Sequence, residues 1–247
     1  MDSAAPHPVV SREDWLAARI ALKNEEKRVL REVDALAKKR AALPWVKVDK
    51  LYLFDTPSGP RTLSDLFAGR SQLIVQHFMF APEWEEGCVG CSLGADHMNG
   101  ITAHLENHDV KYTLVSRAPL AKLIAFRERM GWPFDWVSAG DGDFNYDFHV
   151  SFREGEPVYY NYADRAFECV DLPGLSVFHK TADGTIYHTY SVYSRGTELA
   201  SGVFQLLDMT PKGRNETGPN GDLTDWVKHH DKYDSGSSSC GCGGKTA

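Results

Sequence analysis

No apolar run in this 247-residue sequence is long enough to cross a bilayer. The best, Leu73-Ile74-Val75, gives way at Gln76 and His77, whereas a membrane helix takes about 20 residues. The stretch from Met1 to Pro8 carries neither the positive start nor the apolar core of a secretion leader, so the expected location is cytoplasmic. Positive charge is also in short supply. There are 27 Lys and Arg against 34 Asp and Glu, a formal net charge of −7, so nothing draws the whole chain to phosphate backbones or anionic lipid. No nucleic-acid or membrane partner is expected. Cysteine is scarce, with five in the chain, and in a reducing compartment Cys88, Cys91, Cys169, Cys240 and Cys242 do not make a structural disulfide framework. Hydrophobic residues make up 42%, enough for an ordinary buried core.

Ser11 followed three residues later by Asp14 sets up a helix start, and no Pro or Gly interrupts the chain until Pro44, which predicts one long helix over 12–42. Its apolar row, Trp15, Leu22, Val29, Leu36 and Leu43, is narrow. Glu25 and Glu32 occupy the second heptad row, which favours docking on one surface of its own domain over a coiled coil; a homodimer through this helix is the other reading. Short β-prone runs follow at 45–48 and 51–54. Next come a strand over 72–80, a helix over about 92–107, a strand over 111–116 and a helix over 120–130. Asp183-Gly184 predicts a hairpin between 175–180 and 185–193, and Leu199, Val203 and Leu206 mark a last helix. The result is an α/β chain in the order β-α-β-α-β-β-α. Between these pieces residues 144–167 hold eight aromatics, from Phe144 to Phe167, as an insertion that either covers the core or walls a pocket. The Ser/Gly/Cys stretch 234–247 reads as a flexible tail.

Cys88-Val89-Gly90-Cys91 falls between the predicted strand and helix of a βαβ unit, the context in which a C-x-x-C is a redox motif. A helix start offers unpaired N–H groups and the positive end of the peptide dipole, both of which stabilise a thiolate. Cys88 is therefore the candidate nucleophile and Cys91, within the same turn, the resolving thiol. Glu83, Glu85 and Glu86 are candidates for moving the Cys91 proton. His97, His104 and His108 share a helical face at spacings of seven and four. Two other functional classes compete. One is a soft-metal site for zinc or copper(I), with Cys240 and Cys242 completing the ligands; the other is a partner-binding module with incidental cysteines. Thiol exchange itself requires no cofactor. Cys240 and Cys242 could also relay electrons to or from the dithiol.

The segments Trp45-Val46, Ser71 to Val75, His77 to Phe80, Trp84 to Ser92, Ser116 to Leu120, Arg129 to Trp132, Asp143 to Phe148, Gly174 to Phe178 and His188 to Ser191 together resemble a bacterial family of unknown function. That family is described as predicted dithiol-disulfide oxidoreductases with a thioredoxin-like fold. The resemblance implies a central mixed sheet flanked by helices. It divides the chain into a helical extension (1–43), a thioredoxin-like domain (44–233) carrying the aromatic-rich insertion, and the tail (234–247). It also implies a substrate face. Leu172-Pro173 is similar to the segment where thioredoxins place a cis-proline facing the dithiol, with the backbone of Leu172 pairing a peptide-like substrate, and Trp84 looks like the aromatic ahead of the motif. Thr62 to Phe67 resembles the lead-in to peroxiredoxin-type domains. The departures are Gly90, where thioredoxins usually have proline, and Glu85, where a peroxiredoxin has threonine. The implied partner is a protein or small molecule bearing a disulfide or thiol.

Overall fold

The computed structural model describes residues 7–166, 169–214, 216 and 226–233. The chain divides into two units, 1–44 and 45–247. The first is the helix α1, Arg12–Ala41. Ser11 caps it, its hydroxyl oxygen accepting from the Asp14 N–H at 3.0 Å. Glu13 and Asp14 in the first turn and Lys38, Lys39 and Arg40 in the last complement the peptide dipole. No residue of α1 is buried, and the row from Trp15 to Leu43 stands exposed. Among the described residues no helix is long and apolar enough to cross a membrane.

The second unit begins with three short strands, β1 (Val46–Lys47), β2 (Leu53–Phe54) and β3 (Arg61–Thr62), and the helical turn α2 (Leu63–Leu66). Thr62 starts α2 with a reciprocal capping box to Asp65. The strand β4 (Gln72–His77) follows, then α3 (Val89–Met98), α4 (Thr102–Asn107) and β5 (Val110–Ser116). After them come α5 (Leu120–Arg129), β6 (Asp135–Ser138), α6 (Phe144–Asp147), β7 (Val158–Tyr160) and β8 (Ala163–Arg165). The unit closes with β9 (Gly174–Lys180), β10 (Ile186–Tyr193), a 3-10 helix over Ser194–Ala200, α7 (Gly202–Asp208) and a short 3-10 helix over His230–Lys232. The helix expected over 92–107 is two helices, because Asn99 is extended and Gly100 has a φ of +88° that ends the first turn-stack. β6 is a strand that the sequence pattern did not predict.

The main sheet runs β1-β10-β9-β4-β5-β6. β4 and β5 are parallel, β5 and β6 are parallel, and β9 runs antiparallel to β4 with β10 folded back on it about the expected Asp183-Gly184 turn. A central strand leading into a helix, with a parallel neighbour on one side and an antiparallel hairpin on the other, is the thioredoxin-like fold.

The parallel strands are buried on both faces. On one face Tyr112, Leu114 and Trp136 pack with α3 and α5 through Ala95, Met98, Leu123 and Phe126. On the other, Leu73, Val75 and Val137 pack with Phe54, Phe67, Phe144, Phe148 and Phe178. The aromatic insertion therefore covers the core. Phe144 and Phe148 close the second face and Tyr160 packs with Tyr193 in a smaller cluster; Phe167 lies outside the described residues. Truncating one such ring to alanine would cost about 3–5 kcal/mol.

Candidate active site

The dithiol sits where β4 hands over to α3. Phe78 and Phe80 continue from β4 into the core and are tied by Phe78 N–H to Val115 O (2.9 Å) and Ala118 N–H to Phe80 O (2.8 Å). The chain then loops out and returns, so that Cys88 N–H donates to Met79 O at 3.0 Å. Gly87 makes the return fit. A Cβ there would lie 2.6 Å from the Phe78 ring. Its carbonyl accepts from the imidazole of buried His229 at 2.8 Å.

Cys88 is the N-cap of α3, its sulfur accepting from the Cys91 N–H at 3.4 Å. Cys91 lies in the first turn and is buried, with its sulfur 3.5 Å from the Met79 N–H that donates to it. Cys88 is half-buried, and both residues are thiols. The Cys91 thiol is pushed well above the ordinary cysteine value, first by its hydrogen bond to Cys88 and then by burial. The buried Asp171 acts in the same direction. The turn is pinned from below by Gln76, whose Nε2 donates to Cys91 O at 3.0 Å while its Oε1 accepts from the Tyr112 hydroxyl.

Asp171 and Arg117 form a buried ion pair at 2.9 Å, supported by the Ser151 hydroxyl on Asp171 and the Tyr146 oxygen on Arg117. Burial raises Asp171 despite these partners; burial lowers Arg117, but the pair with Asp171 outweighs it. Neither residue was singled out in the sequence. They are 54 positions apart, and no local spacing joins them. Of the glutamates, Glu86 is held by Lys232 (2.7 Å) and Arg129 (2.6 Å), which lower its carboxyl, Lys232 most. Through these two cations it anchors the loop ahead of the dithiol.

Leu172 and Pro173 line the same cavity as Cys88 and Cys91. Two details of the expected substrate face are corrected. Among the described residues no peptide bond is cis, so Pro173 is trans. The Leu172 N–H is already given to Val150 O at 2.8 Å and so is not free to pair a peptide, and Pro173 O accepts from the Tyr160 hydroxyl at 2.6 Å. Trp84 packs partly buried against the α3-side core and its carbonyl accepts from Lys122 at 2.9 Å; it does not line the cavity. Cys240 and Cys242 lie outside the described residues. Cys169 packs against the small cluster that contains Tyr160 and Tyr193, and burial raises its thiol.

His97 is structural, bonded to Leu93 O (2.6 Å) and to the Val203 N–H (3.0 Å), while His104 and His108 are exposed on α4 and just beyond it. Among the described residues no three His, Cys, Asp or Glu side chains cluster to hold a metal ion. His77 borders the cavity with Cys88 and Cys91, but its ring packs on the other face of the sheet. It packs among Phe144 and Phe148, its Nδ1–H on Asn145 Oδ1 (3.1 Å) and its Nε2 accepting from the Ser176 hydroxyl (2.8 Å). Burial pushes it down to about 4, so it is neutral at pH 7.

Residues 4–233 match a family described as bacterial protein of unknown function (DUF899). The chain belongs to that family. None of the curated proteins matches the sequence. Among solved structures, the peroxidoxin BcpB from Mycobacterium tuberculosis is similar at 15% identity, over 67% of this chain and 97% of that one, with a TM-score of 0.44. Peroxiredoxin Q of Xanthomonas campestris is similar at 17% identity over 69% and 98%, with a TM-score of 0.43. A secreted M. tuberculosis disulfide oxidoreductase homologous to E. coli DsbE is similar at 16% identity over 61% and 92%, with a TM-score of 0.35.

Proposed function

We propose that this DUF899 protein is a dithiol-disulfide oxidoreductase, with Cys88 as attacking thiolate and Cys91 as resolving thiol. The carrying observation is the asymmetry of the pair. Cys88 caps a ten-residue helix and borders a cavity, while Cys91 is buried one turn away with its thiol raised by the Cys88 sulfur. The proton that Cys91 keeps is held against Cys88, and the helix start adds its dipole, so negative charge is favoured on the sulfur that a substrate can reach. Attack by Cys88 on a disulfide forms a mixed disulfide and expels one substrate sulfur as thiolate, which takes up a proton. Cys91 then loses its proton and attacks the Cys88 sulfur, forming the protein disulfide and freeing the second substrate thiol.

The substrate is a protein or small molecule bearing a disulfide or thiol, and the expected compartment is the reducing cytoplasm. No cofactor enters either step. Single-turnover exchange followed by mass spectrometry tests this reading. Cys91→Ser should accumulate a mixed disulfide at Cys88, and Cys88→Ser should form none. Undiminished exchange in Cys88→Ser would sink it.

A further inference from the structure

We infer that the dithiol acts on a small uncharged disulfide carried on an apolar body, such as a 1,2-dithiolane on an aliphatic chain, and not on an extended peptide. The inference rests on the dithiol reading above and names its substrate class. The cavity that Cys88 and Cys91 line has a volume of ≈ 420 Å³, within the range of small-molecule sites. It follows one face of α3 from the sulfurs past Gly90 and Gly94 to Met98. Those glycines, four residues apart, add no side chain to it, so beyond the sulfurs α3 contributes Leu93 and Met98. Cys91 to Met98 is seven residues of helix, about 10 Å at 1.5 Å per residue. A dithiolane ring with a five-carbon tail is of that length.

The chemistry of the walls selects against charge. Ile74, Met79, Leu93, Leu175 and Phe204 supply apolar surface. Gln76 spends both ends of its amide on Cys91 O and the Tyr112 hydroxyl. The charged lining groups, Arg195 and Glu198, pair with each other at 2.9 Å, with Arg195 standing 64% exposed. Carrying a carboxylate or ammonium past these apolar walls strips it of water, and the two charged lining groups already answer each other, Glu198 being held by Arg214 as well at 2.7 Å. A peptide meets a different obstacle. β9 is paired on both edges, by β4 and β10, and the Leu172 N–H and Pro173 carbonyl ahead of it are already bonded. β9 itself therefore offers no open edge for strand addition.

In the step itself, Cys88 attacks one ring sulfur, the dithiolane S–S bond breaks, and the released sulfur takes up a proton. Cys91 then displaces the remaining substrate sulfur from Cys88. Two electrons pass from the cysteine pair to the substrate, which leaves as a dithiol, and an external dithiol must reduce the protein before the next round.

Pre-reduced, desalted full-length protein is mixed with lipoamide, oxidised glutathione or oxidised insulin, quenched by alkylation, and its Cys88/Cys91 disulfide counted by mass. Each rate is divided by that of free dithiothreitol with the same compound, which removes intrinsic reactivity. The normalised rate for lipoamide should exceed both others at least ten-fold, and Phe204→Trp should raise the lipoamide concentration at half-maximal rate about ten-fold. Equal normalised rates, or faster oxidation by insulin, would overturn the substrate class while leaving the dithiol reading intact. A pair that no compound oxidises would remove the dithiol reading, and this inference with it. The wild-type comparison stands even if the variant does not fold.

Discussion

Replacing Gly87 by alanine should disable the site without touching a sulfur. The added methyl would lie 2.6 and 3.0 Å from two carbons of the Phe78 ring and 3.5 Å from Phe126. The ring cannot step aside. Phe78 is 1% exposed, with the rings of Trp136 and Trp132 centred 4.6 and 5.9 Å away. The backbone must yield instead, and it is the backbone that carries Cys88 and accepts from His229. Overpacking of this kind costs about 1–3 kcal/mol, and a displacement of about 1 Å at a reacting atom can cost on the order of 100-fold in rate. Gly94→Ala is the matched control. Its methyl meets only the Gln76 amide at 3.4 Å, an ordinary contact, and mid-helix alanine gains about 0.5–1 kcal/mol over glycine. Urea unfolding midpoints should therefore move in opposite directions for the two variants, and alkylation of Cys88 should slow in Gly87→Ala. A Gly87→Ala protein with wild-type midpoint and wild-type Cys88 reactivity would refute this account of how the loop is seated.

Asp171→Asn leaves Arg117 as an uncompensated buried charge and should cost about 3–5 kcal/mol in chemical denaturation. Because the Asp171 charge helps hold the Cys91 thiol up, the same variant should shift thiol alkylation to lower pH, and an unchanged pH profile would count against their coupling. His77 predicts acid sensitivity. Its pKa drops from 6.5 in the unfolded chain to about 4 in the fold, a gap of about 2.5 worth about 3 kcal/mol at 1.36 kcal/mol each. The native state keeps His77 neutral while the unfolded chain takes up its proton. This stability is whole above pH 6.5 and is lost progressively as pH falls toward 4. Urea midpoints at pH 7 and 4.5 should show that loss, and His77→Gln should flatten it; equal slopes in the two proteins would argue against it.

What the sequence made legible was local. α1 announces itself through Ser11, Asp14 and the lack of Gly or Pro up to Pro44, and the β9/β10 turn through Asp183-Gly184. The dithiol could be placed because a strand, two cysteines and a helix start lie within a few residues of one another. Long-range terms were out of reach. β6 is four residues long, too short to show a period, and becomes a strand because β5 pairs with it. The path through Pro173 is set by Val150 and Tyr160, and the charge that reaches Cys91 comes from Asp171, held by an arginine on the far side of the sequence. The cavity is likewise assembled from α3, β9 and the region around Phe204, which no single stretch reveals.

The sulfur that opens α3 holds the hydrogen bond from the Cys91 amide. Under the proposed reaction this sulfur changes partner while the Cys88 carbonyl goes on accepting from the Ser92 N–H at 2.9 Å and the Ser92 hydroxyl at 2.8 Å, so the first turn keeps its seat and the Cys91 amide is the one bond that feels the exchange. Deuterium uptake at that single amide is then the expected reporter of the oxidation state.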